Sequence, residues 1–258
     1  MRTLTLEHKI KKYKDNNFSD ELDNVVVEKS IDIFINDNFY ITVICLPKNL
    51  SEFVVGFLYF EDFIKSYDEI IDISIDEEKN IIKIKLNKKV EIHRDKKKVL
   101  TTGCGKSYTE IDINNPVNCK RINTSFKLNA DKVIELMKEF NTKSELFLET
   151  GGVHACAIVN ENGFVTFMED IGRHNAFDKV IGYCLINNIS FAKMVLLTSG
   201  RISGEIIAKT IKSKLPIIIS RSAPTSHGLK LAEKFFATLI GFARGNRFNI
   251  YTYPERIV

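Results

Sequence analysis

Two short runs without a polar residue, Val195-Leu196-Leu197 and Ile217-Ile218-Ile219, constrain this chain more than any other feature of its sequence. A strand that is apolar at every position has to be covered on both faces, as in a sheet packed between helices. The surrounding pattern agrees. Helical spacing over 131–141 precedes strand-like segments at 153–159 and 164–168, which are separated by Asn162-Gly163. Helix 175–186, strand 194–197, helix 202–212, strand 216–220, helix 228–236, strand 238–242 and a last strand near 248–252 follow. The order α-β-β-α-β-α-β-α-β-β predicts an α/β architecture with a helix-covered mixed sheet.

The first half reads as α+β and β-rich. Segments 25–35 and 39–46 flank Asn36-Asp37-Asn38 and predict a hairpin. After Pro47, Leu50, Phe53, Val54, Phe57 and Leu58 recur at helical spacing, and 71–75 and 81–86 alternate as half-buried strands. Residues 108–129 lack periodicity and contain Asn114-Asn115-Pro116, which places a connection there. The expected division is a smaller domain over 1–125 and a second over 126–258. The lysine-rich stretch 83–98 reads as a solvated strand edge, with docking of an acidic partner or an anionic cofactor as the alternative.

Polar residues gather where strands hand over to helices, the usual ligand side of an open α/β sheet. Glu169-Asp170-Ile171-Gly172-Arg173-His174-Asn175, Thr198-Ser199-Gly200-Arg201 and Ser220-Arg221-Ser222 occupy three such junctions, and Gly241-Phe242-Ala243-Arg244-Gly245-Asn246-Arg247 follows the next strand. Each supplies arginine beside glycine or hydroxyl residues. The planar guanidinium suits phosphate, and glycine lets backbone N–H groups approach an anion. Arg173, His174, Ser199, Gly200, Arg201, Arg221, Arg244 and Arg247 are therefore candidates for holding a large phosphorylated ligand. The competing reading has these arginines neutralising Glu169, Asp170 and Glu205. His154, within a strand, reads as a hydrogen-bonded core residue, and His174 as the better functional candidate.

Five cysteines, Cys45, Cys104, Cys119, Cys156 and Cys184, form no CxxC pair, so neither a disulfide framework nor a zinc ribbon is indicated. Cys45, Cys156 and Cys184 fall at positions expected to be buried. Cys104 stands apart in Thr101-Thr102-Gly103-Cys104-Gly105-Lys106-Ser107. Flanking glycines leave the sulfur accessible, and a nearby ammonium favours thiolate, which suits a sulfur-carrying cysteine.

With 37 basic against 33 acidic residues, the charge gives no argument for nucleic acid, and the opening residues lack the apolar core of a secretory signal. No apolar run approaches a membrane span, so the expectation is a cytoplasmic protein without a membrane partner.

The stretches Thr150-Gly151-Gly152-Val153-His154, 169–176, Thr198-Ser199-Gly200-Arg201 and 241–247, with Leu46-Pro47 and Gly56-Phe57-Leu58, strongly resemble the formate dehydrogenase accessory sulfurtransferases of the FdhD type. The resemblance runs from about Val25 to the C-terminus. It implies a sulfur relay in which Cys104 takes sulfur from a cysteine desulfurase as a persulfide. The sulfur passes to a molybdenum or tungsten bis-guanine-dinucleotide cofactor, bound as substrate and destined for formate dehydrogenase. Phe242, Ala243, Arg244, Gly245, Asn246 and Arg247 match the family's cofactor-binding segment, including its guanine nucleotide part. The resemblance further implies a homodimer, no tightly bound metal of its own, and a cytidine-deaminase-like fold for the second half. Many relatives carry CxxC in the cysteine loop; here the loop has one cysteine, which puts a two-thiol mechanism in doubt.

Three rivals differ in their chemistry. A zinc deaminase needs His-x-Glu and Pro-Cys-x-x-Cys; His174 is followed by Asn175-Ala176, and no PCxxC occurs. A thiol oxidoreductase is disfavoured by the missing CxxC. A non-catalytic chaperone for the cofactor fits the arginine loops as well as a sulfur carrier does.

Overall fold

The structure is a computed structural model that describes residues 3–90, 99–100 and 120–258. Its strands form three sheets: a six-stranded sheet, a five-stranded sheet and a separate hairpin.

The six-stranded sheet belongs to the second half of the chain. Its strands are β8 (His154–Asn160), β9 (Gly163–Asp170), β10 (Val195–Thr198), β11 (Ile217–Ser220), β12 (Thr238–Arg244) and β13 (Arg247–Thr252), in the order β13-β12-β11-β10-β8-β9. β10, β11 and β12 run parallel, while β8 lies antiparallel to β10. Every residue of β10 and β11 is buried, and alternate side chains serve opposite faces. Leu196, Ile218 and Leu239 join a core with α4 (Arg173–Ile186), α5 (Gly204–Lys212) and α6 (Ser226–Phe235). Leu197, Ile219 and Ile240 meet Val133, Leu136, Met137 and Phe140 of α2 (Ala130–Thr142) on the other side. The result is the helix-covered mixed sheet that the apolar strands require. Hydroxyl and amide caps start the helices: Asn129 accepts from Asp131 N, Ser203 from Ile206 N and Thr225 from Gly228 N. A short helix α3 (Glu145–Thr150), which the sequence pattern did not predict, lies between α2 and β8.

The five-stranded sheet comprises β3 (Lys29–Ile35), β4 (Asn38–Cys45), β5 (Ile70–Asp76), β6 (Ile81–Leu86) and β7 (Val99–Leu100), ordered β5-β6-β3-β4-β7. The predicted turn joins β3 to β4, with Asn36 and Asp37 both at positive φ as a two-residue hairpin demands. β6 lies inside the sheet, so Lys83 and Lys85 project from the solvent face of an interior strand; the edge reading was incorrect for them.

Helix α1 (Leu50–Phe60) is apolar almost all round because it is covered on both sides, by the five-stranded sheet and by α4. The two helices approach closely enough that a Cβ on Gly56 would stand 1.9 Å from Asp178 O. One on Gly182 would stand 1.8 Å from Glu52 O.

The first strands were not anticipated. β1 (Thr5–Lys14) and β2 (Asn17–Val26) pair through ten residues each around Asp15-Asn16, so 25–26 end an earlier hairpin and do not begin β3. Leu4 and Val26 at its base pack with Phe147 against Leu46, Leu146 and Val153.

Candidate functional site

The parallel strands β10 and β11 end in register at Thr198 and Ser220. Beyond their carboxyl ends opens a cavity of about 580 Å³, lined by Asn141, Ser199, Arg221, Ser222, Ala223, Phe242 and Arg244. Strand-end hydroxyls fix its rim. Ser220 Oγ donates to Gly200 O at 2.7 Å and accepts from Ser222 N at 2.9 Å, while Thr198 Oγ1 accepts from Gly200 N at 3.2 Å.

Phe242 reaches the cavity through an irregularity. The β12–β13 register shifts between Gly241 and Arg244, and Phe242 has φ 52°, a left-handed conformation uncommon for an aromatic residue. Its N–H donates to Ser222 O at 3.0 Å, tying the displaced backbone to the β11 loop. The Arg244 guanidinium stands 5.7 Å from the Phe242 ring centre. Arg221 lies over Phe147 of α3, 4.7 Å from that ring centre. Two guanidiniums and an aromatic face thus border one opening, a combination that can hold phosphates and stack a planar base.

Behind this wall, His154 Nδ1 is 3.1 Å from Ser199 Oγ, and that oxygen accepts from Ala155 N at 3.0 Å. Ser199 Oγ keeps one hydrogen and one lone pair for that contact, so it can serve either neutral tautomer of His154. Burial lowers the His154 pKa, and Arg173, Arg221 and Arg201 lower it further. Arg173 itself is held down by burial and by the neighbouring Arg201 charge. Like charges gathered in this way favour an anion between or beside them.

Two of the three carboxylates proposed as partners for these arginines, Asp170 and Glu169, are used otherwise. Asp170 is bound by Lys179 Nζ at 2.7 Å, with both side chains fully buried. Ser144 donates to Glu169. Glu205 Oε2 lies 3.3 Å from His174 Nε2. Among the described residues, no carboxylate forms an ion pair with Arg173, Arg201, Arg221, Arg244 or Arg247. The neutralisation reading is therefore corrected for Asp170 and Glu169, which a lysine and a serine hold, whereas the Glu205 charge does act on Arg173.

The structure brings Ser199, Arg221, Phe242 and Arg244 together at the cavity. Gly200 underlies its rim against the Arg173 side chain. Ala243 is buried in the sheet core, Gly245 and Asn246 form the exposed β12–β13 turn, and Arg247 opens β13, also exposed. His174 faces Glu205, and burial, Lys209 and Arg173 push its pKa far down, so it is neutral. Asn141 and Phe147 had no signal in the sequence, because α2 and α3 reach this edge only through the fold. Cys45, Cys156 and Cys184 are buried as expected, and burial pushes the Cys156 and Cys184 thiols up to about 12. Cys104 and Cys119 lie outside the described residues.

A sequence model of the FdhD/NarQ family matches residues 26–258. The chain belongs to the FdhD/NarQ family. Sulfur carrier protein FdhD of Staphylococcus aureus strain MRSA252 is 36% identical over 259 residues, covering 100% of this chain and 98% of that protein. The protein of the same name from strain JH9 matches with the same identity and coverage. A crystal structure of a formate dehydrogenase accessory protein from Desulfotalea psychrophila superposes with a TM-score of 0.80 at 26% identity, covering 99% of this chain and 100% of that one. The coverage extends over the β1–β2 hairpin, which precedes the stretch matched by the FdhD/NarQ model. Among the described residues, no helix is long and apolar enough to cross a membrane.

Proposed function

We propose that this FdhD/NarQ protein is a sulfur carrier of formate dehydrogenase maturation, a sulfurtransferase that loads sulfur onto a guanine-dinucleotide molybdenum or tungsten cofactor. The observation that carries the reading is the cavity itself. In a chain related to sulfur carrier proteins, it joins two arginines without a described carboxylate partner to an aromatic wall. Arg221 and Arg244 suit the ligand's diphosphate, and Phe242 offers a face for its base. The nearby charges of Arg173 and Arg201 extend the same anion-attracting edge.

In this reading, residues 126–258 bind the cofactor as substrate, with a cytidine-deaminase-like topology, and residues 1–125 bring the sulfur. The Cys104 thiolate attacks the terminal sulfur of a persulfide on a cysteine desulfurase. The donor's S–S bond breaks, its cysteine leaves as thiolate, and the sulfane sulfur stays on Cys104. The homodimer and the docking of formate dehydrogenase belong to the same proposal, as does a cytoplasmic location.

The test is mass spectrometry after incubation with a desulfurase and cysteine, followed by peptide mapping. A gain of one sulfur on the Cys104 peptide is expected, and a gain on another cysteine, or on none, would overturn the assignment. Cys104→Ala decides between carrier and chaperone. A carrier loses the ability to activate formate dehydrogenase while still binding GDP; a chaperone keeps both.

A further inference from the structure

The wall of the cavity is chemically one-sided. Arg221 and Arg244 bring two guanidiniums to it, and the charges of Arg173 and Arg201 reach His154 just behind Ser199. Asn141 adds to the same side, because its Oδ1 is buried and its amide nitrogen is the end left open to the cavity. The carbonyl oxygens at the rim are engaged within the protein: Gly200 O accepts from Ser220 Oγ, Ser222 O from Phe242 N and Ala223 O from Ile202 N. Among the described residues that line the cavity, none is an aspartate or a glutamate. The wall is thus cationic and rich in N–H donors, with nothing on it that suits a metal ion.

A diphosphate meets a protein in one of two forms. With a terminal phosphate, as in GDP, it chelates Mg²⁺ through oxygens of both phosphates, and sites for that form supply carboxylates to the metal. Inside a dinucleotide both phosphates are esterified, one negative charge is gone, and Mg²⁺ is held only weakly. Guanidiniums seek the same oxygens as the metal, and a cation placed between two arginines is repelled by both. Resting on the reading of the cavity as a nucleotide site, we propose that it takes a diphosphate only when no divalent cation is bound. It thereby selects the internal diphosphate of a dinucleotide against magnesium-chelated mononucleotides. Phe242 plays no part in this choice, since it can stack on the base of either ligand. The selection lies in the charge of Arg221 and Arg244.

The experiment measures binding of two ligands to the full-length protein by calorimetry: GDP, and diguanosine diphosphate, in which two guanosines share one diphosphate. Each is titrated in EDTA and again in about 10 mM Mg²⁺, at an ionic strength matched with NaCl. Both bind in EDTA. Mg²⁺ weakens GDP about tenfold, while the dinucleotide changes less than about twofold. Arg244 is exposed, so Arg244→Glu leaves the fold intact and puts a carboxylate in place of a guanidinium. In that variant the sign reverses, and GDP binds more tightly with Mg²⁺ than in EDTA. If Mg²⁺ still weakens GDP in Arg244→Glu, the wall is not the cause and the proposal is overturned. Wild-type GDP binding that Mg²⁺ leaves unchanged or strengthens also overturns it, yet leaves the nucleotide cavity standing. Equal weakening of both ligands does the same. If neither ligand binds in EDTA, the cavity reading and this inference fail together.

Discussion

The Lys179 ammonium lies 2.7 Å from Asp170 Oδ2, with both side chains fully buried at the junction between the two large sheets. Lys179 also donates to Leu46 O and Glu169 O, while Asp170 accepts from Leu46 N, Gly172 N and the Asn175 amide. Asn175 donates in turn to Ile44 O. One acid, one amide and one lysine thus clamp the end of β4 to the loop that carries Arg173. The buried ions are stabilised only as a set. Lys179→Met, which strands the Asp170 carboxylate, is expected to cost about 3–5 kcal/mol in urea unfolding. A loss below about 1 kcal/mol would show the site to be hydrated and the clamp unimportant.

The crossing of α1 and α4 makes a second demand. Gly56 faces the Asp178 carbonyl, and Gly182 faces that of Glu52, with no room for a methyl group at either place. The obstacle is backbone on both sides, so neither helix can yield by a rotamer change. Gly56→Ala or Gly182→Ala should lower stability by about 2 kcal/mol or more, despite the better helix propensity of alanine. Thermal denaturation of the two variants checks this, and an unchanged or raised Tm would contradict the packing.

Phe242 allows binding and folding to be separated. Its backbone sits at φ 52°, where glycine is at ease and phenylalanine is not. Phe242→Gly should therefore keep a Tm close to wild type while GDP affinity drops about tenfold, the lower part of the range for loss of an aromatic stack. Arg221→Ala, by contrast, is expected to weaken pyrophosphate and GDP alike, and to make the remaining binding less sensitive to salt.

His174 governs acid sensitivity. Burial first, then the charges of Lys209 and Arg173 and the nearby His154, push its pKa from 6.5 down to about 2. Between those values the unfolded chain binds a proton that the native protein does not, so stability rises with pH and is lost as pH falls below 6.5. Going from about pH 7.5 to about pH 5.5, this residue should remove about 1.4 kcal/mol. His174→Gln removes the titration, and its urea midpoint should fall less over the same interval than that of wild type. His154 and Asp178 titrate in both proteins and cancel in the comparison. Equal losses would mean that His174 accepts a proton in the native state.

Much was legible along the chain because it depends on neighbours in sequence. The apolar runs at Val195 and Ile217 could only be covered strands, Asn36-Asp37 could turn without strain, and arginine with glycine or hydroxyl residues marked the strand ends. The hairpin at β1–β2 left a signal in Asp15-Asn16, both at positive φ, but its exposed strands, lysine-rich in β1 and acidic in β2, lack the apolar alternation that marks a buried face. What the local pattern could not supply was pairing. Asp170 looked like a partner for arginine and is held by Lys179, nine residues further on, one helical turn after another down the buried side of α4. Asn141 reads as the unremarkable end of an amphipathic helix, and comes to line the cavity only where α2 crosses the sheet to the ends of β10 and β11. Backbone preference and hydrophobic period act over a few residues and are written in the sequence. Which charges share a buried space depends on how sheets and helices stack, and the packed structure alone decided that.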